Sequence, residues 1–250
     1  MNRIVFFLLL FSSSFLFAQG TPGATDGSLN PSMVTKLAVL AGLSLLPFMI
    51  MLLTSFMKIV VVLALLRQAL GVQQTPPNQV LNGIALLLTI YVMFPTGVAM
   101  YNASENVIRT QAPREVISPE SATFVLNVVD KAKGPLKVFL EKNCSPKHIT
   151  SFYKLAYRLF PEPYKSELKP GDFIILAPSF ITSQLKTAFE IGVLIYLPFF
   201  VIDLVVSNIL LAMGMMMLSP LTIALPVKLL LLVFVDGWTV LIQGLALSFK

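Results

Sequence analysis

Two long apolar stretches, one on each side of a charged block, constrain this chain more than any other feature. Residues 37–56 carry no charge and are long enough to cross a bilayer; the apolar run resumes past Lys58 over 59–66 until Arg67 closes it. Residues 80–101 lead back after a connector containing Thr75, Pro76, Pro77 and Asn78. A second pair of stretches covers 191–218, turns at Ser219 and Pro220, and returns over 221–249. Between the pairs, residues 102–187 hold 12 of the 18 Lys/Arg and 8 of the 12 Asp/Glu. A chain 56% hydrophobic and 12% charged is too apolar for a soluble protein of 250 residues. The pattern predicts an all-α membrane protein of kinked helical hairpins with a helical polar domain inserted between them.

Five segments follow. Residues 1–18 read as a secretory signal peptide, with Arg3 before a short apolar core and cleavage after Ala18, an uncleaved anchor being the alternative. Residues 19–36 form an N-terminal lead-in, 37–101 the first apolar hairpin, 102–187 the polar domain, and 188–250 the second hairpin with a methionine-rich turn. An exported N-terminus and four crossings place the polar domain outside, in the periplasm of a Gram-negative host. Pro47 is expected to break the first run into two helical pieces, and Pro95 with Gly97 to interrupt the second. In the polar domain, Ser118-Pro119-Glu120 and Ser145-Pro146 read as helix starts, and Gly134-Pro135 as an interruption. Ile149, Phe152, Tyr153, Ala156, Leu159 and Phe160 form one buried stripe, and Ser179 is a candidate cap for a helix through Lys186 and Glu190, a pair of opposite sign at i,i+4.

The residue inventory argues against chemistry. One His (His148) and one Cys (Cys144) give no metal-ligand spacing, and no phosphate loop, zinc-helix motif or nucleophile elbow is present. The reading is no catalytic residue, no cofactor, no metal and no nucleic-acid partner, because the net charge of +6 is not clustered into a surface that tracks phosphates. Cys144 reads as an inert thiol and His148 as a solvated surface residue.

Lys58, Asp203, Lys228 and Asp236 lie in apolar surroundings, where an unpaired charge costs several kcal/mol, so each is expected to face protein, water or another charge. Asp203 precedes the Ser219-Pro220 turn by 16 residues and Lys228 follows it by 9, a poor match for direct pairing; Lys228 and Asp236 are two turns apart on roughly one face. Salt bridges between helices or subunits are the first reading, a proton relay the second. Met213, Met215, Met216 and Met217 precede the turn. A soft thioether group either fills gaps beside a helix end or, repeated around an axis, closes a pore that yields to passing chains.

Two stretches carry a resemblance. Thr54-Ser55-Phe56-Met57-Lys58, Leu66-Arg67-Gln68-Ala69-Leu70-Gly71 and Pro76-Pro77-Asn78-Gln79 resemble the first signature of the FliP/SctR family, export-gate proteins of flagellar and virulence type III secretion systems. The second signature is similar to residues 183–192, Leu197-Pro198-Phe199, Ile202-Asp203-Leu204-Val205, Met213 to Met217 with Ser219-Pro220, and Asp236-Gly237-Trp238. The resemblance implies a homo-oligomer of five copies assembled with Q-type and R-type gate proteins and other export-apparatus subunits. The assembly would be a helical channel at the bacterial inner membrane, projecting to the periplasmic side and passing unfolded secreted polypeptides. It implies a pore gasket at Met215, Met216 and Met217 and roles in assembly for Lys58, Asp203, Lys228 and Asp236. Residues 70–74 and 209–214 look closer to the injectisome branch, while a signal peptide is more familiar from the flagellar one. A small secondary transporter or ion channel is the rival from another class, with Lys58, Asp203 and Asp236 relaying ions; an intramembrane enzyme is the third.

Overall fold

The computed structural model describes residues 41–42, 44–45, 47–72, 75–111, 119–215 and 217–249. The expected signal peptide, the lead-in and Met216 lie outside the described residues. The described chain is helical, without strands: α1 Pro47–Leu53, then α2 Phe56–Leu70, α3 Asn78–Gln111, α4 Pro119–Asn143, α5 Pro146–Leu159, α6 Tyr164–Glu167, α7 Phe173–Ala212, α8 Pro220–Phe234 and α9 Gly237–Leu247.

Sequence explains α2 directly. Ile59, Val62, Leu63, Leu66, Ala69 and Leu70 recur at three- and four-residue steps and are all buried, the signature of one apolar face laid against a core. That face meets Leu81 and Ala85 of α3, Ala188 of α7 and Leu245 of α9, and farther along Phe199 of α7 and Leu232 of α8. A further cluster joins Leu53 of α1, Phe139 and Leu140 of α4, and Leu176 and Phe180 of α7. The long helix α7 is therefore the common wall of the molecule, touching α2, α4, α5 and α8 along its length.

At 1.5 Å per residue, the 40 residues of α7 and the 34 of α3 extend about 60 and 50 Å, against a hydrocarbon core of about 30 Å. Both are apolar enough to cross a membrane, and the bent pairs α1 with α2 (73°) and α8 with α9 (63°) raise the number of candidate spans from 2 to 4. Only 11% of the apolar window of each long helix is buried within the chain, so most of that surface needs lipid or another protein.

Several local expectations give way. A break in the first apolar run falls at Thr54 and Ser55, where α1 and α2 meet at 73°, while Leu46, beside Pro47, lies outside the described residues. Pro95 is carried inside an unbroken α3 and Pro135 inside an unbroken α4; a proline removes one backbone bond, and the packing of Met93 beside the first and of Leu136, Phe139 and Leu140 beyond the second holds the helix on course. Ser179 does not cap a helix. It lies buried inside α7, its hydroxyl donating to the Ile175 carbonyl at 2.6 Å, because the apolar run from Phe173 to Leu176 already packs as helix. The α5 stripe is narrower than expected: Ala156 is buried, but Leu159 stands 69% exposed. Lys186 and Glu190 do pair, at 3.6 Å on the surface.

One face of α7 carries polar groups that grip the elbow between α4 and α5. Gln184 Nε2 donates to the Asn143 carbonyl at 2.7 Å, Ser183 Oγ accepts from the Ser145 backbone N–H at 3.0 Å, and Ser179 Oγ reaches the His148 carbonyl at 3.4 Å. Buried Cys144 sits in this elbow with its sulfur 3.5 Å from Ser183 Oγ. Burial pushes its thiol above the ordinary range, against a smaller opposing effect of Ser183. A raised value means less thiolate at neutral pH, and thiolate is the nucleophile. Iodoacetamide should therefore alkylate Cys144 in the native chain on the order of tenfold more slowly than free cysteine at pH 7.5, the gap closing on denaturation; equal rates would show an accessible, unperturbed thiol.

Candidate functional site

The loop joining α7 to α8 is built by its helix ends. At the close of α7, Gly214 N–H donates to the Leu211 carbonyl and Met215 N–H to the Leu210 carbonyl, both at 3.0 Å. Together with Gly214 at φ 74°, this is a Schellman stop, which requires a left-handed residue at the position after the cap. Ser219 and Pro220 open α8, the proline in the first turn where its missing N–H costs nothing. The loop between them holds the methionines away from the core: Met213 is 66% exposed, Met215 41% and Met217 103%. Each apolar thioether thus faces outward from the single chain at the end of a helical hairpin.

Behind the loop, Lys228 Nζ lies 2.8 Å from Asp203 Oδ2 and donates to the Ala69 carbonyl at 2.9 Å. The lysine side chain is 2% exposed and the carboxylate 34%. Ala69 lies in the last turn of α2, where carbonyls lack helical partners and the helix end is negative. One ammonium group therefore ties α2, α7 and α8 together. Counting from Ser219-Pro220 made this pair look mismatched; in fact α7 stops at Ala212, nine residues beyond Asp203, and Lys228 lies eight beyond the start of α8. The seven-residue loop restores the register.

Asp236 does not pair with Lys228. It is exposed, and it occupies the left-handed region at φ 49° in the break between α8 and α9. That break turns its carboxylate toward Thr239, whose hydroxyl donates to Oδ1 at 2.9 Å, rather than toward Lys228. Lys58 is 2% exposed. It has no carboxylate partner among the described residues, donating instead to the Ser248 carbonyl at 3.3 Å and lying 3.5 Å above the Phe249 ring. The structure thus brings Asp203 and Lys228 together and leaves Lys58 and Asp236 in separate places. No group of three or more His, Cys, Asp or Glu able to hold a metal occurs among the described residues.

Sequence reasoning missed the Ala69 carbonyl and the Ser179, Ser183 and Gln184 grip. The latter had a readable signal, Ser179 and Ser183 four apart and so on one helical face.

Comparison with known proteins decides the family. The FliP family pattern matches residues 39–245, which include the methionine loop, the Asp203–Lys228 pair, Lys58 and Asp236. The chain belongs to the FliP family. Among relatives of the FliP family, it is 45% identical over 223 residues to the virulence protein YscR of Salmonella typhimurium, covering 89% of this chain and 100% of that one. It is 42% identical over 221 residues to the hypersensitivity response secretion protein HrcR of Ralstonia nicotianae, covering 88% and 99%. The flagellar biosynthetic protein FliP of Cereibacter sphaeroides is 42% identical over 230 residues, covering 90% of this chain and 71% of that one.

Proposed function

We propose that this chain is a core export-gate subunit of a type III protein secretion system, of the virulence injectisome kind. The observation that carries the reading is the match over nearly the whole length of relatives named for virulence and hypersensitivity-response secretion. The match to the flagellar relative, of which it covers less, keeps a flagellar export gate as the second reading. In the proposed state, five copies join Q-type and R-type gate proteins in the bacterial inner membrane, with the region 102–187 on the periplasmic side. Unfolded polypeptides pass along the axis. The chain supplies wall and seal, and the energy comes from other subunits of the apparatus.

Physical support comes from two features. Long helices with little buried apolar surface need a hydrophobic neighbour, which lipid or sister subunits provide. The loop presents Met215 and Met217 outward on a rigid Schellman stop, so copies arranged around an axis would bring flexible, polarisable groups together at one level. Asp203 and Lys228 would hold each hairpin in register so that these loops align.

Replacing Met215, Met216 and Met217 together with Ala is expected to leave a complex of unchanged native mass that conducts small ions severalfold faster in planar bilayers. An unchanged ion barrier removes the gasket role. A native mass of a single chain removes the gate reading altogether.

A further inference from the structure

We infer that the Ser248–Phe249 segment after α9 is a strap that pins the bend between α1 and α2, and that lifting it frees α1 to swing. The inference concerns a single chain and does not depend on the export role. Phe249 also lies beyond the residues matched by the family pattern, 39–245.

Within the bend, the Thr54 hydroxyl donates to the Ile50 carbonyl at 2.7 Å and accepts from the Phe56 N–H at 3.4 Å, whereas the neighbouring serine gains no such support. Ser55, at the break, is fully buried, and its hydroxyl has no hydrogen-bond partner among the described residues. Such a group forfeits its hydration without return, which marks a site held in place by something else. One turn on, Lys58 is an ammonium group at 2% exposure whose partners among the described residues are both in the strap: the Ser248 carbonyl at 3.3 Å and the face of Phe249 at 3.5 Å. A carbonyl and an aromatic face are what a desolvated cation accepts when, as among the described residues here, no carboxylate is at hand.

The same ring also reaches a different part of the molecule. Phe249 stacks on Phe139 of α4, with centroids 6.5 Å apart and planes 18° from parallel, and Phe139 in turn meets Phe180 of α7 at 5.9 Å. Phe249 packs against both the α2–α3–α9 cluster and the α1–α4–α7 cluster. Lys58, Phe249 and Phe139 therefore form a continuous stack from the bend to the charged region. Beside it lies an open cavity of about 880 Å³, lined in part by Phe249, Leu247, Pro95 and Lys142, which gives the ring somewhere to go. Beyond the bend, α1 is apolar and bare, with Phe48 64% and Met49 52% exposed. The strap thus sets the direction in which an apolar arm projects toward whatever covers it.

If the strap is lifted, Lys58 loses its partners at once, and α2 must open at its start to return the ammonium group to water. Removing the charge removes that need. This coupling separates a strap from ordinary packing.

The test is hydrogen exchange on the full-length chain in nanodiscs, read at residues 54–58, at 136–143 in α4, and at 62–66 as an internal control for global opening. Phe249→Ala should raise exchange at 54–58 on the order of tenfold, equivalent to about 1.4 kcal/mol, and also loosen 136–143. Phe249→Trp, which keeps a cation-binding face, should preserve protection. Phe249→Leu, which keeps apolar bulk without that face, should lose it at 54–58 while sparing 136–143. In a Lys58→Met background, Phe249→Ala should change 54–58 by less than about threefold. Unchanged exchange at 54–58 in Phe249→Ala, equal protection by Leu and Phe, or the same increase with and without Lys58 would each overturn the strap. Should Phe249→Ala raise exchange at 62–66 equally, the Leu and Trp pair decides.

Discussion

Asp203→Ala is expected to lower the stability of the folded chain by roughly 2–4 kcal/mol, while Asp203→Leu combined with Lys228→Met recovers most of that loss. The single change deletes the carboxylate and leaves Lys228 at 2% exposure with, among the described residues, only the Ala69 carbonyl. Breaking a buried pair from one side typically costs about 3–5 kcal/mol; the lower figure allows for the partial exposure of Asp203, which lets water reach the gap. The double change removes both charges and fills the same volume with apolar groups, so the desolvation cost goes with the attraction. Its residual deficit is the Ala69 carbonyl, which loses a donor at the end of α2. Unfolding in detergent, scored as a double-mutant cycle, measures the coupling directly. Additive single effects would mean that the 2.8 Å contact contributes nothing to stability. In the proposed assembly, Asp203→Ala should also reduce the yield of complex, since the hairpin that presents Met215 and Met217 is tied to α2 through this lysine.

What the sequence made legible follows from what hydropathy measures. The apolar stretches, the charged block between them and the helical class all appear in the structure because each reports the solvent a segment prefers. Backbone continuity is a different property. Helix α3 runs through residue 101 and α7 through residue 187 without interruption, so the edges of the charged block fall inside helices. Prolines misled for a related reason: Pro95 and Pro135 are both carried within helices, where lateral packing outweighs one missing bond. The Asp203–Lys228 contact was hidden by a seven-residue loop mistaken for a two-residue turn. Gly214 was the cue, a glycine just past an apolar helical run. Asp236-Gly237 was likewise a turn dipeptide inside an apolar stretch, and it marks the bend between α8 and α9. Nothing local pointed to Phe249, since a stack spanning Lys58, Phe249 and Phe139 joins residues far apart in the chain.

Gly192→Val should be the most damaging single change in the α2–α7 contact, and Leu65→Ala should partly suppress it. A Cβ at position 192 would fall 2.2 Å from Leu65 Cδ1, 3.2 Å from its Cβ and 3.3 Å from its Cγ. The helices are close enough here that only a hydrogen fits. Gly192→Ala forces the Leu65 side chain off its rotamer at a cost of roughly 1–3 kcal/mol, and Val adds two more carbons against the Leu65 stem. The strain acts on the packing that places α7 against the buried face of α2, and so on the geometry that lets Lys228 reach both Asp203 and Ala69. Removing Cδ1 and Cγ with Leu65→Ala leaves a 3.2 Å contact that small shifts absorb. Gly83, in α3, supplies the control: nothing lies within 4 Å of a Cβ built there, and Gly83→Ala should be neutral or stabilise by up to about 1 kcal/mol through helix propensity. Thermal unfolding of the four variants in one detergent distinguishes close approach from propensity. Similar shifts for Gly192→Ala and Gly83→Ala would mean that α2 and α7 are not held together at this point.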